Sequence, residues 1–190
     1  MRAGLAACGA VVAAVLLAGC GIPTQTAAQV VDRRDVPFGL ADPAPTTTSL
    51  PVPSVDVTVF FEGAERLVAV SRAVPRPASP EEVLDALGRG PTTAESTGGW
   101  RSPISTATPL AVVGQRDGTI TVRVPRAFTQ LGGQDQIVAA AQLVFSLTAF
   151  AAVDRVVIQI GRHPASIPTA NGALTSAPLT VHDYRSLAPE

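Results

Sequence analysis

Hydrophobic and polar positions fall into blocks of different period along the chain. From residue 55 the period is two: Val55, Val57, Val59 and Phe61 alternate with Asp56, Thr58, Phe60 and Glu62, which predicts a strand with the first set inward. Gly63-Ala64 marks a turn, and residues 66–74 repeat the pattern with Val68, Val70 and Val74 on one face. Pro75 and Pro77 end that strand. At Ser79 the period becomes helical. Ser79 can cap the helix, Pro80 suits its first position, Glu82 completes a capping box, and Glu81 with Glu82 suits the positive end of the dipole. Val83, Leu84 and Leu87 form the apolar stripe; Gly88, Gly90 and Pro91 stop it. Residues 92–109 read as a long loop containing Gly98-Gly99-Trp100-Arg101.

Residues 110–116 and 119–124 flank Asp117-Gly118, a pair that favours a type I′ hairpin turn. Ile120, Val122 and Val124 face one way and Thr119, Thr121 and Arg123 the other, so one side of this sheet is left uncovered. A second helix is predicted over residues 135–150. Its narrow polar stripe is Asp135, Ala139, Gln142, Ser146 and Ala149, read as solvent-facing; Ile137, Ala141, Val144, Leu147 and Thr148 lie opposite, against a sheet. A strand over 153–160 follows, and a last short strand over 179–184. This order departs from strict strand–helix alternation. It predicts an α+β domain: a mixed or antiparallel sheet with two helices packed on one face.

Ahead of this domain stands a different kind of sequence. Arg2 precedes an uncharged apolar run, Ala3 to Ala18, which ends in Leu17-Ala18-Gly19-Cys20. A basic start, a short apolar stretch and a small-residue end form an export signal. The run is short for a span of roughly 20 apolar residues. The ending resembles the lipobox of bacterial lipoproteins, which implies a diacylglyceryl thioether on Cys20 with cleavage before it. Two or more acyl chains anchor a protein stably where one does not. Residues 1–19 are therefore read as signal, 20–54 as a lipidated cysteine and Pro/Thr-rich linker, and 55–187 as the domain. A flexible linker of that length spans roughly 30 Å. These expectations place the protein on the extracytoplasmic face of the cell membrane.

Composition narrows the chemistry. The formal net charge is -1. Cleavage would remove Arg2 and no acid, leaving 13 basic and 15 acidic side chains. At that balance no nucleic acid or anionic membrane is expected to be attracted. Every basic residue is arginine, which reads as GC-rich codon usage and points to an actinobacterial source. The cysteines are Cys8, in the signal, and Cys20, so the mature chain has no disulfide or cysteine metal ligand.

The succession of elements resembles the GerMN domain of sporulation and spore germination proteins. The matching stretches are Val57–Phe61, Leu67–Arg72, Leu84–Leu87 with Gly90-Pro91, Asp117-Gly118 leading into Val122–Val124, Gln142–Thr148, Val153–Val156, Pro178–Thr180 and Asp183-Tyr184. Together they cover about residues 55–187. The chain departs from the pattern at Ser102–Ser105 and at Gly161-Arg162-His163. The resemblance implies a membrane-anchored extracytoplasmic scaffold or binding module, related to ring-building domains that self-associate, with no catalytic residues to carry over.

The residues themselves agree. Without lysine there is no P-loop lysine, Ser-x-x-Lys nucleophile or Schiff base. A zinc site would need His163 and His182 to meet a carboxylate such as Asp183; their spacing gives no reason to expect it, and neither metal nor cofactor is expected. Trp100 is the candidate partner contact, against the alternative of a ring that closes its loop onto the sheet edge. Arg101, Arg116 and Arg123 read as solvated arginines on a polar face, against the alternative of a weak basic patch. The expected function is non-catalytic binding or assembly in the cell envelope, with an envelope protein, peptidoglycan or a second copy as partner. The competing class is an amidase-type peptidoglycan hydrolase or a cofactor of one, which a hollow gathering carboxylate, histidine and serine would favour.

Overall fold

The computed structural model describes residues 53–150 and 152–190. Strands β1 (Ser54–Gly63) and β2 (Arg66–Pro75) form an antiparallel hairpin in unbroken register. Its turn is Ala64-Glu65, one residue later than expected, with φ of 48° and 68°. Positive φ at both positions matches the twist of the strands but strains residues that carry a side chain. Helix α1 (Pro80–Gly88) begins at Ser79, whose Oγ accepts from the Glu82 N–H at 3.3 Å. Within the expected long loop lies one more helical turn, α2 (Thr93–Thr97). Thr92 Oγ1 accepts from the Glu95 N–H, and the Glu95 carboxylate accepts from the Thr92 N–H at 2.7 Å.

Strands β3 (Ala111–Arg116) and β4 (Thr119–Val124) pair around Asp117-Gly118, with φ of 49° and 72° as a type I′ turn requires. A 3-10 turn at Arg126–Gln130 leads into α3 (Gly133–Thr148). The helix carries the chain back so that β5 (Arg155–Ile160) lies parallel to β4, the crossover that parallel neighbours need. Strand β6 (His163–Pro164) folds back on β5, giving a mixed sheet in the order β3-β4-β5-β6. Strands β7 (Ile167–Pro168) and β8 (Leu174–Thr175) form a third small sheet. The fold is the α+β class expected, with its strands divided among three sheets.

Two sequence expectations are corrected. The last strand reduces to one bridge, in which Leu179 exchanges hydrogen bonds of 2.9 and 2.8 Å with Val156. The chain then winds into a 3-10 turn over Val181–Leu187, because Asp183 Oδ2 accepts from both the N–H and the hydroxyl of Thr180. The second correction concerns α3. The middle of its expected solvent stripe is covered: Ala139, Gln142 and Ser146 are 0% exposed, like Val144 and Leu147 on the other side, while Asp135 and Ala149 at its ends stay open to solvent. Strand β1 packs over that stripe, and Ser146 Oγ accepts from the Phe60 N–H at 3.0 Å. The same contact buries Phe60 and Glu62, the outward set of β1 in the sequence pattern. Phe60 meets the Phe145 ring at 5.5 Å. Helix α3 is thus the centre of the core, packed against β1, α1, β5, β7 and the C-terminal turn. Among the described residues no helix is long and apolar enough to cross a membrane.

Candidate functional site

The loop carrying Trp100 is fastened to the first hairpin and to α3 by charged and polar side chains. Trp100 is half-buried over Gly63, where a Cβ would stand 3.0 Å from the indole Cδ1. Glycine at 63 is what admits the ring. The next residue, Arg101, exchanges backbone hydrogen bonds of 2.9 and 2.8 Å with Glu62, extending the edge of β1. Its guanidinium lies 2.7 Å from Glu62 Oε2 and 2.7 Å from Asp135 Oδ1 on α3. Glu62 is only 6% exposed, and Oε2 has the ion pair but no hydrogen bond of good angle. A buried carboxylate is tolerated only with a cation beside it, so Arg101 is required where it stands. The hydrogen bond to Asp135, then the charges of Glu62 and Asp135, hold the guanidinium even further into its charged form, against the effect of burial.

A second pair braces the same loop. Arg72 on β2 meets Glu95 through two contacts of 3.0 and 2.5 Å and lies 5.3 Å from the centre of the Phe61 ring. The Arg72 hydrogen bond holds the Glu95 carboxyl below its ordinary range; burial opposes this and Thr92 reinforces it. Below Trp100, Ser102 Oγ donates to Gln142 Oε1 at 2.9 Å and accepts from the Ile104 N–H at 3.2 Å. The Ser102–Ser105 stretch is thus pinned to α3, and Ile104 is buried at 1% exposure. Sequence reasoning missed Glu62, Arg72, Glu95 and Asp135 as the frame of this loop. The Thr92-x-x-Glu95 spacing was a usable signal for Glu95; the other three meet only through the fold.

The remaining candidates lie elsewhere. His163 is exposed on β6 and His182 is exposed at the start of the C-terminal turn. Among the described residues no three of His, Cys, Asp and Glu gather where a metal could be held. His182, Asp183 and Ser186 do line one shallow hollow of about 460 Å³. They are not linked as a proton relay: Asp183 bonds Thr180, and His182 Nδ1 faces Arg185 Nη2 at 3.0 Å. A nucleophile needs its base in hydrogen-bond reach and that base oriented by a third group. Arg101 belongs to the Trp100 loop, whereas Arg116 and Arg123 stand on the second sheet. Cys20 lies outside the described residues.

Comparison with known proteins bears on the fold and the family. The family model "Sporulation and spore germination" matches residues 56–166. No curated protein matches the chain in sequence. Among solved structures, the tandem GerMN domains of the sporulation protein GerM from Bacillus subtilis superpose with a TM-score of 0.53 at 20% identity, over 69% of this chain and 48% of that one. The chain thus spans about half the length of that tandem structure. The first GerMN domain of the same protein superposes with a TM-score of 0.50 at 21% identity, over 66% of this chain and 97% of that one. At such identities the likeness concerns the fold. With the family model covering more than half of its residues, this chain belongs to the GerMN-containing sporulation and spore germination family.

Proposed function

We propose that this protein is a membrane-anchored module on the outer side of the cell membrane that binds or assembles with envelope components and catalyses no reaction. The observation that carries this reading is the use made of the polar groups around Trp100. Arg101 pairs with Glu62 and Asp135, and Arg72 pairs with Glu95; the two groups set an aromatic edge and two glycines on a braced loop. Rigid aromatic anchors of this kind are enriched at contact surfaces. Family membership supports a role in sporulation or germination, and the Leu17-Ala18-Gly19-Cys20 motif supports the anchor.

The competing reading, an amidase-type hydrolase or its cofactor, draws on the hollow shared by His182, Asp183 and Ser186. One experiment separates them. The purified full chain is incubated with peptidoglycan, and both bound protein and released soluble fragments are measured. Binding without release is expected, unaltered by His182→Ala or Ser186→Ala. Release abolished by either change would establish the enzyme. For the anchor, Cys20→Ala should move the protein from the detergent phase of a cell extract to the aqueous phase or leave it unprocessed. Wild-type behaviour of that variant would refute lipidation.

A further inference from the structure

The solvent face of the four-stranded sheet carries arginines and no carboxylate. Register sets the rows. Arg116, Thr119 and Arg155 stand side by side on β3, β4 and β5; Gly114, Thr121 and Val157 form the next row; Ala111, Arg123 and Gln159 the third. On β4 and β5 the other face is Ile120, Val122, Val124, Val156 and Ile158, each at most 2% exposed. The helices cover that side, so the arginine side has no layer over it. At about 4.8 Å between strands and about 3.3 Å per residue, Arg116 and Arg155 stand about 10 Å apart, with Arg123 about 13 Å further along.

None of these three arginines is in an ion pair among the described residues. Arg155 Nη2 donates to the Asp117 carbonyl at 3.2 Å and Arg123 Nε to the Gly161 carbonyl at 3.0 Å. Both contacts aim a guanidinium without neutralising it. Among the described residues, the ion pairs engage Arg72 and Arg101 instead. Asp117 sits in the turn at the sheet end, and the Asp154 carboxylate is turned toward Gly118. Exposed Arg162 lies in the turn after β5, while exposed Glu81 and Asp85 lie on α1, with exposed Arg89 at its end. The near-zero net charge therefore hides three arginines on one sheet face that are in no ion pair among the described residues.

We propose that this sheet face docks the domain onto an anionic phospholipid surface, a proposal that rests on the reading of Cys20 as a lipid anchor. Arg116 and Arg123 line none of the surface hollows described, and Arg155 borders one together with Asp154, so no hollow gathers the three arginines around a small anion. Cations spread over a plane are complementary to charges spread over a plane. Each arginine near such a surface raises partition about five-fold, three of them about a hundred-fold. That is too little to recruit a protein from solution. It suffices for a domain already tethered, for which docking is an intramolecular event. No aromatic side chain stands in the three rows, so the contact is electrostatic and weakens with salt.

The test compares the full chain with its Arg116→Ala/Arg123→Ala/Arg155→Ala variant on phosphatidylcholine vesicles with and without phosphatidylglycerol. The first twenty residues, Arg2 included, are the same in both chains, so the reading is how far the variant's ratio of anionic to neutral binding falls below that of the wild type. For the wild type that ratio should exceed about ten and collapse toward one in high salt. The triple alanine variant should fall well below the wild-type ratio, and the corresponding triple lysine variant should keep it. Trp100 emission and a thermal melt verify folding; were the triple variant unfolded, each single alanine should lower the ratio about five-fold. A wild-type ratio of one, or an unchanged ratio in the alanine variants, overturns the proposal. So does tighter binding to inorganic polyphosphate than to the anionic vesicles, which would assign the face to a soluble polyanion. The vesicle ratio does not depend on acylation, so its failure is distinct from failure of the Cys20 reading.

Discussion

Trp100 occupies the space that a side chain at residue 63 would need. Gly63→Ala should push the ring outward, shift the emission of this sole tryptophan to the red and cost about 1–3 kcal/mol. Unchanged emission would contradict the packing. Gln142 is a comparable case inside α3: fully buried, it accepts from Ser102. Gln142→Ala should cost about 1–3 kcal/mol in a denaturant melt, because Ser102 is left without its acceptor. Exposed Gln134→Ala should stay within about 0.5 kcal/mol. Helical spacing told which residues share a face with Gln142. It could not tell that β1 covers that face, which is why the stripe read as wet. Two titrations are signed. Arg72 holds Glu95 below the ordinary carboxyl value. Its contribution is full above about pH 4.3 and is lost as pH falls through the depressed value, and Glu95→Gln should flatten that part of the acid limb. Burial, and then the charge of Asp183, raises the Tyr184 phenol above its ordinary value. That contribution is full below about pH 10 and fades as pH rises toward the raised value. Tyr184→Phe should remove this alkaline loss in stability-versus-pH melts. It should also cost about 1 kcal/mol at neutral pH, since the Pro168 carbonyl loses its donor.

Elements with strong local signals were legible in the sequence. The β1–β2 and β3–β4 hairpins, the Ser79 start of α1 and the body of α3 all follow from period, caps and turn residues. Short pieces were not: α2 has five residues, too few for a period, and the C-terminal turn replaces an apolar run that reads as a strand. In both, a Thr-x-x-acid capping box settled the local conformation. The candidate site was legible only at Trp100 itself, because its ionic frame joins residues from β1, β2, α2 and α3. The β3–β4 hairpin offers a sharp test at element scale. Gly118 has φ of 72°, and a Cβ there would meet Asp154 Oδ2 at 2.5 Å. Its carbonyl also accepts from the N–H groups of Asp154 and Arg155, at 2.7 and 3.1 Å. Gly118→Ala should therefore loosen the start of β5 as well as the turn, at about 1–3 kcal/mol. A loss confined to the turn, seen as unchanged amide shifts at Arg155 and Val156, would count against this coupling. In α3, Val144→Asp would place an unpaired charge at a site with 0% exposure. It should unfold a domain of ordinary marginal stability, with no cooperative melt remaining.

At the scale of the whole molecule, α3 belongs to no single layer. It closes the open edge of β1 through Ser146, supports β5 as its crossover, and meets β7 and the C-terminal turn. Neither the first hairpin nor the four-stranded sheet keeps its apolar face covered once this helix leaves. The two sheets, though separate in hydrogen bonding, should therefore open together. In native-state hydrogen exchange, amides of Val59 and Val70 in one sheet and of Val122 and Ile158 in the other should report one opening free energy, equal to that of global unfolding. The same dependence bears on how the domain could be dissected. Cutting it between β2 and β3 should give two fragments that are disordered alone and regain structure only when mixed, since neither half carries a core of its own.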